Sequence, residues 1–185
     1  KNFHSTNISD CLGSAEYCYM GEVNLYTNEK CGKGEIFFSD GGKGEGTFWN
    51  NEMEGWDKYI DRQGILFVGL FLRGKLNGKG IRYSKENNNV YFGDFNNNLR
   101  HGFGKDIRNN FKYEGMFEND KKCGKGKIEF ENGDVYDGGF KDKIFNGYGY
   151  FKWKKNGHEY KGNYLDGKFH GYGYYKFGEN EYYRL

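Results

Sequence analysis

The chain has 185 residues, of which 31 are glycine, none is proline and 20% are aromatic, and its formal net charge at pH 7 is +2. A net charge this small supplies no dominant basic field, so a nucleic-acid-binding surface is not predicted. No apolar run is long enough to span a membrane, no signal peptide is visible, and the frequent glycines disfavour helices.

The first segment, residues 1–18, comes before a phrase that repeats through the rest of the chain, and we predict that it caps the repeats. The chain begins at Lys1 and not at Met, so we expect a piece of a longer protein or one trimmed for study. Cys11 and Cys18 could pair in an oxidising compartment, but the lack of a secretion signal favours reduced thiols.

The repeated phrase occupies residues 19–177. It reads aromatic, any residue, Gly, any residue, aromatic, and then Gly-x-Gly beginning nine residues after the first Gly. Two copies are degraded. The copy marked by Gly46 has Gly44 in an aromatic slot and Asp57 in place of the second Gly of Gly-x-Gly, and in the copy marked by Gly21 the Gly-x-Gly comes two residues late. Residues 178–185 look like the start of an eighth copy, whose marker Gly would fall at Leu185. Seven glycines mark the copies: Gly21, Gly46, Gly69, Gly93, Gly115, Gly138 and Gly162.

Each copy alternates its side chains with a period of two residues, which is typical of β-strands. Tyr113, Gly115 and Phe117 would share one face, and polar residues such as Asn119 and Asp120 would form the turn of a hairpin. Glycine weakens a strand, so its regular placement indicates that an aromatic ring of a neighbouring strand lies flat over the backbone. The predicted fold is all-β, an elongated single-layer twisted antiparallel sheet of tandem β-hairpins.

The phrase resembles the MORN repeat, and the resemblance extends over residues 19–177. It implies an array of seven hairpins that is not catalytic. It also implies association with phospholipids or with cytoskeletal structures, such as axonemal radial spokes and the cortical rings of apicomplexan parasites. MORN repeats further occur beside phosphatidylinositol phosphate kinase and lysine methyltransferase domains, so the chain could be an accessory region of a larger enzyme.

Residues that could carry chemistry fall in corresponding places of different repeats. Cys31, Cys123, His101 and His170 each stand immediately before a Gly-x-Gly. Equivalent positions in successive hairpins are about 9.5–10 Å apart, whereas zinc ligands lie ~2.0–2.3 Å from the metal. No nucleophile elbow is present, and the Gly-x-Gly pairs lack the strand and helix of a dinucleotide site. We therefore predict no catalytic residues, no metal and no cofactor.

Exposed apolar side chains are predicted on the face opposite the glycines. Either residues 1–18 and ring-on-ring packing cover them, or another protein does, since exposed apolar patches mark partner sites. Unpaired strand edges or ends would also let the chain bind a second copy of itself. The candidate partner-binding residues are Tyr148, Tyr150, Tyr172, Tyr174, Trp49, Leu70 and Leu72.

A basic strip offers the alternative of a peripheral membrane module that binds acidic phospholipid headgroups. Each lysine near an anionic leaflet contributes roughly 1 kcal/mol, although acidic residues are interleaved nearby. We favour a non-catalytic scaffold for protein–protein assembly, cytoplasmic and associated with the cytoskeleton or a cilium. The many Asn and Lys residues would suit a protist. The strip comprises Lys152, Trp153, Lys154 and Lys155.

Overall fold

A computed structural model describes residues 5–13, 16–178 and 181–184, and of residues 5–13 and 181–184 only the backbone. The described residues form strands and no helix. The strands are β1 (Ser5–Gly13), β2 (Tyr17–Asn24), β3 (Lys30–Phe38), β4 (Lys43–Trp49), β5 (Glu52–Met53), β6 (Gly55–Ile60), β7 (Ile65–Leu72), β8 (Lys75–Ser84), β9 (Asn89–Asn96), β10 (Leu99–Ile107), β11 (Phe111–Glu118), β12 (Lys121–Phe130), β13 (Val135–Lys141), β14 (Ile144–Lys152), β15 (Glu159–Leu165), β16 (Lys168–Phe177) and β17 (Glu181–Arg184).

The chain divides into two units, one formed by Lys1–Glu86 and Asp94–Asn98 and the other by Asn87–Gly93 and Leu99–Leu185. In the first unit, β1 to β4 pair antiparallel in chain order, and so do β6 to β8. There β4 pairs with both β6 and the short β5. In the second unit, β10 to β17 pair antiparallel in chain order. The predicted all-β architecture of tandem antiparallel hairpins is confirmed.

Two-residue turns close six hairpins of the described residues, and both turn residues have positive φ. Asn119 and Asp120 have φ of 47° and 65° between the paired residues Glu118 and Lys121. This is the type I′ turn, whose twist matches that of the strands and which favours Asn, Asp and Gly. The same geometry occurs at residues 50–51, 73–74, 97–98, 142–143 and 166–167.

Each of these turns also binds the strand two places earlier. The backbone N–H of the second turn residue donates to a carbonyl about one repeat earlier, as Asp120 does to Arg100 at 3.0 Å. Where that turn residue is Asn or Asp, its side chain accepts the N–H of the same earlier residue, as Asn98 does from Leu76 at 2.7 Å. The turns therefore join successive hairpins by hydrogen bonds outside the strand ladders.

The inner face is built from tyrosine rings lying over paired glycines. Gly115 is opposite Gly126, and a Cβ added to either would lie 2.5 Å from the Tyr113 hydroxyl. The ring thus covers a glycine of its own strand as well as one of the neighbouring strand. The hydroxyl donates to the carbonyl of Met116 at 2.9 Å. Tyrosine and glycine slots are therefore complementary in shape, and any side chain on the glycine would displace the ring.

The first Gly of Gly-x-Gly has a different task. Gly124 has a φ of +54° and lies where the β11–β12 register shifts between Gly115 and Met116. A glycine with positive φ is the usual first residue of a bulge that places one extra residue in a strand. Gly-x-Gly therefore combines a bulge glycine with a packing glycine.

The core is a row of aromatic rings in edge-to-face contact on the inner face. Tyr113 lies 5.1 Å from both Phe117 and Phe140, and Tyr136 lies 5.2 Å from Tyr164, measured between ring centroids. This arrangement is the favoured one for aromatic pairs. It lets one layer of strands bury large side chains without a second layer.

The cysteines differ from the prediction of reduced thiols at one position. Cys18 is disulfide-bonded, whereas Cys31 and Cys123 are free. Burial raises the pKa of the Cys123 thiol, which lowers its thiolate fraction and its reactivity.

Candidate functional site

The outer face is the side of the sheet opposite the tyrosine rings. The residue between the two glycines of a Gly-x-Gly points to this face, and so does the residue that follows the second glycine. In β12 the residue between the glycines and the residue after them are Lys125 and Lys127, and both are exposed. Between β10 and β11 this face carries opposite charges across strands, as between Lys105 and Glu114 at 3.0 Å. Such exposed pairs contribute little to stability.

Tyrosines replace these lysines in the last two repeats. We call Tyr148, Tyr150, Tyr172 and Tyr174 the tyrosine patch. Tyr172 is 74% exposed, Tyr148 59% and Tyr174 57%, whereas Tyr150 is half-buried. Rings of this size are seldom left so exposed together unless the surface is functional.

The strand register brings the tyrosine patch together. Tyr148 and Tyr150 lie on β14 opposite Asn163 and Lys161 of β15. Lys161 is in turn opposite Tyr174 of β16. The four rings therefore form two ridges, one on β14 and one on β16, with the shorter or polar side chains of β15 between them.

The other predicted partner-binding residues lie in the first unit. Trp49, Leu70 and Leu72 are each about half exposed. Leu70 is opposite Trp56, which is 64% exposed. Trp56 stands between Gly55 and Asp57, in the place of the middle residue of Gly-x-Gly, and alternation along the strand places it on the same face.

A cavity of about 640 Å³ lies on the outer face of the first unit beside Trp56. Its walls mix apolar and charged side chains, and Lys58 bridges to Glu45 at 2.6 Å. The Lys58 hydrogen bond lowers the pKa of Glu45. Both charges in this pair are thus matched within the cavity wall.

The four residues of the basic strip do not form one surface. Trp153 packs against Phe151 and Tyr175, with ring centroids 4.5 and 5.6 Å away. Lys152 is instead within 3.5 Å of Glu159. Lys154 and Lys155 are exposed in the turn that follows.

A buried charged cluster on the inner face was missed by the sequence analysis. Arg100 bridges to Asp106 at 3.0 Å and to Asp120 at 2.8 Å. Nearby, the ammonium of Lys122 lies 3.8 Å from the Phe111 ring centroid. Within the described residues no group of three His, Cys, Asp or Glu side chains is placed to hold a metal ion. Nor is there, in that part of the chain, a helix long and apolar enough to cross a membrane.

The repeat geometry agrees with a comparison against known families. The model of the MORN repeat matches residues 67–88, 91–105, 113–135, 136–158 and 160–180, which together exceed half of the chain. The chain belongs to the MORN repeat family. MORN repeats are protein-interaction and membrane-binding modules and are generally not catalytic.

Curated relatives match only in part. The chain is 30% identical over 92 residues to Alsin of Rattus norvegicus and 29% identical over 92 residues to Alsin of Homo sapiens. Both matches cover 46% of this chain, which spans about 6% of the length of these relatives. A solved Drosophila Melanogaster structure, the SAS-4 TCP domain in complex with a proline-rich motif of Ana2, is similar at a TM-score of 0.49 and 11% identity, covering 83% of each chain. At that TM-score the likeness has no bearing on what this MORN array binds.

Proposed function

We propose that this MORN array is a non-catalytic scaffold that docks other proteins on its outer face, with the tyrosine patch as the contact surface. The observation that carries the proposal is the exposure of Tyr148, Tyr172 and Tyr174 on adjacent ridges. Tyrosine is enriched in interface cores because its ring buries a large area while its hydroxyl keeps a hydrogen bond.

A basic membrane-binding strip has less geometric support. The Trp153 ring is engaged with neighbouring rings and Lys152 has an acidic neighbour, so two of its four residues are already in use. The cytoskeletal or ciliary setting, in the cytoplasm, is part of the proposal and is supported by the family resemblance alone.

Site-specific photocrosslinking tests the docking proposal. We would place the photoreactive residue benzoylphenylalanine at position 148 or 172 in cells that express the chain. Position 26 is the matched control, because Tyr26 is a tyrosine of the first unit with 81% exposure. Discrete adducts at 148 and 172 that are missing at 26 are expected. Adducts of equal yield at all three positions, or none, would refute docking at this patch.

Two further measurements complete the test. Co-sedimentation of the array with vesicles rich in phosphatidylserine at ~0.15 M salt is expected to show no binding. Persistent sedimentation, lost on replacing Lys154 and Lys155 with Glu, would favour the membrane function instead. Colocalisation of the tagged chain with detergent-resistant cytoskeleton is expected, and a fully extractable chain would contradict that setting.

A further inference from the structure

Lys122 is a lysine of the inner face that lies against aromatic rings and has no carboxylate partner. Its Nζ is 3.8 Å from the Phe111 ring centroid and 4.7 Å from that of Tyr113. Within the part of the chain that the structure describes, the ammonium forms no ion pair. The side chain is half-buried, so its nitrogen is poorly solvated but remains within reach of small molecules.

The charged groups around Lys122 are engaged with one another. The Asp106 carboxylate accepts from Arg100 at 3.0 Å and from Arg108 at 3.2 Å. Arg100 also binds Asp120, at 2.8 Å. Three cations and one anion act on the ammonium, so positive charge prevails there. These groups are Arg100, Asp106 and Arg108 in and beside β10, and Lys143 in the turn between β13 and β14.

These surroundings favour the neutral form of the amine. The pKa of Lys122 is lowered to about 8, chiefly by burial. At pH 8 about half of the Lys122 side chains are then neutral, against fewer than about 1% of ordinary lysines, whose usual pKa is about 10.4. Burial raises the pKa of Tyr113, so the neighbouring hydroxyl stays protonated. A neutral lysine amine has a free lone pair and is a nucleophile.

The geometry limits which electrophile such an amine can meet. A half-buried nitrogen beside two rings admits only a small reagent, and an uncharged reagent approaches without losing ionic solvation. An anionic product would find a partner in Arg108. Among the described residues Arg108 bonds to Asp106 through Nε and Nη2, and its Nη1 has no acceptor. Carbon dioxide is small and uncharged, and its product with an amine is an anion.

We propose that Lys122 reacts reversibly with carbon dioxide to form a carbamate that Arg108 stabilises. The amine lone pair forms the N–C bond, one C–O π bond of carbon dioxide breaks and leaves its electron pair on oxygen, and the nitrogen releases one proton to the buffer. The reaction requires no oxidant or reductant. Lys122 thereby changes from a cation to an anion, and the prevailing positive charge holds the carbamate against the opposing effect of Asp106.

Carbon-13-labelled bicarbonate tests the proposal on the whole chain. The folded chain is equilibrated with it at about pH 8 and constant ionic strength, where the usual pKa of an amino terminus also lets that group form a carbamate and serve as the positive control. Carbamates are detected by carbon NMR, trapped by alkylation with a trialkyloxonium salt and located by mass spectrometry. Lys121 is the matched negative control, because it is adjacent and its ammonium bonds to Asp142 at 2.7 Å. We expect the occupancy of Lys122 to exceed that of Lys121 at least about tenfold.

Variants separate the amine from its surroundings. Lys122→Arg keeps a cation beside the rings but removes the nucleophile, so the trapped product at position 122 should disappear while that of the amino terminus remains. Arg108→Gln removes the partner of the anion and should lower the occupancy of Lys122 at least about threefold. Lys121→Gln should leave that occupancy unchanged. Unchanged amide spectra away from the substitution would show that each variant is folded.

Unfolding the chain in guanidinium chloride separates the effect of the fold from that of the local sequence. The excess of carbamate at Lys122 over Lys121 should vanish there, because both lysines then have ordinary surroundings. Equal occupancy of the two lysines in the folded chain would overturn the inference, and so would an excess that survives unfolding. An occupancy that Arg108→Gln does not change would contradict the stabilising role of Arg108. The docking proposal is independent of all these outcomes.

Discussion

Two hairpins that carry the same repeated phrase cover its glycines with different side chains. In β13–β14, the Tyr136 ring covers Gly138 and Gly149. In β4–β6, the equivalent of Tyr136 is Gly44 and the equivalent of Gly149 is Asp57. A Cβ added to Gly46 would collide with the Asp57 carboxylate, whereas one added to Gly138 meets the Tyr136 ring. The carboxylate therefore occupies the space that the missing ring leaves.

The exchange has an electrostatic cost. Asp57 accepts the Thr47 N–H at 2.8 Å through Oδ1, but its buried Oδ2 has no hydrogen-bond partner among the described residues. Burial raises the pKa of Asp57, and the Thr47 hydrogen bond opposes that rise. The comparison teaches that the tyrosine and second-glycine slots are coupled, because a change in one determines what fits the other.

The largest expected effect comes from filling a regular glycine slot. Gly149→Ala would place a Cβ 2.5 Å from the Tyr136 hydroxyl, so we expect the free energy of unfolding to fall by about 3 kcal/mol. Gly147→Ala on the same strand is the control. It has a φ of +78° but nothing within 4 Å, so it should cost only about 1 kcal/mol of backbone strain. Urea unfolding measures both, and equal costs would contradict the role of the ring.

A double-mutant cycle tests the coupling of the exchanged slots. Gly44→Tyr alone should destabilise the hairpin, because its ring would need the space that Asp57 fills. Asp57→Gly alone should leave a cavity. The double variant restores the regular pair, and we expect a favourable interaction energy of about 2 kcal/mol between the substitutions. Free energies that simply add would show that the two departures are independent.

The sequence was sufficient to predict the strands and the packing role of the glycines, but not the bulge role of the first glycine in Gly-x-Gly. Alternation around Gly115 predicted paired strands, and a ring over the backbone was predicted from regular glycines. The bulge at Gly124 was not, because a period of two does not reveal where a ladder is interrupted. The placement of Lys152 and Trp153 could have been foreseen, since adjacent strand residues point to opposite faces.

Packing between repeats was beyond the sequence analysis. A lysine in a polar-looking run gives no sign that it lies over a ring, so the cluster around Lys122 and Arg100 went unnoticed. The coupling of Gly44 with Asp57 was equally hidden, since it depends on which space a side chain enters. The tyrosine patch itself was predicted as a candidate from alternation. Its binding role stays a prediction, because exposure alone does not show an occupant.

One inner-face slot extends the comparison to another hairpin of the second unit. Two residues after its turn, β14 carries Phe145, which stacks on Tyr136 with centroids 3.8 Å apart. In β12 the same slot is Lys122, whose ammonium is 4.7 Å from the Tyr113 centroid. The pKa of Lys122 is lowered to about 8, chiefly by burial; Asp106 opposes the shift, and Arg108 and Arg100 add to it.

The smallest expected effect is the pH dependence that follows from Lys122. From pH 8 to about 10.4, the usual pKa of lysine, the unfolded chain holds a proton that the folded chain has lost, so stability should rise with pH. From about pH 10, where unfolded tyrosines ionise, to about pH 12, stability should fall, since burial raises the pKa of Tyr136 to about 12 and the folded chain keeps its proton. Lys122→Phe should abolish the rise and, by restoring a stacked ring, add about 1 kcal/mol at pH 7.

Urea unfolding at a series of pH values and constant ionic strength measures this difference. Lys121 provides the control, because it is the adjacent lysine and its pKa is raised, chiefly by its hydrogen bond to Asp142. Lys121→Gln should therefore keep the rise above pH 8, while Lys122→Phe loses it. Parallel pH profiles for wild type and Lys122→Phe would mean that the ammonium is solvated in the folded state. The slot would then tolerate a cation without a desolvation cost, and Phe145 and Lys122 would be equivalent solutions to covering a tyrosine ring.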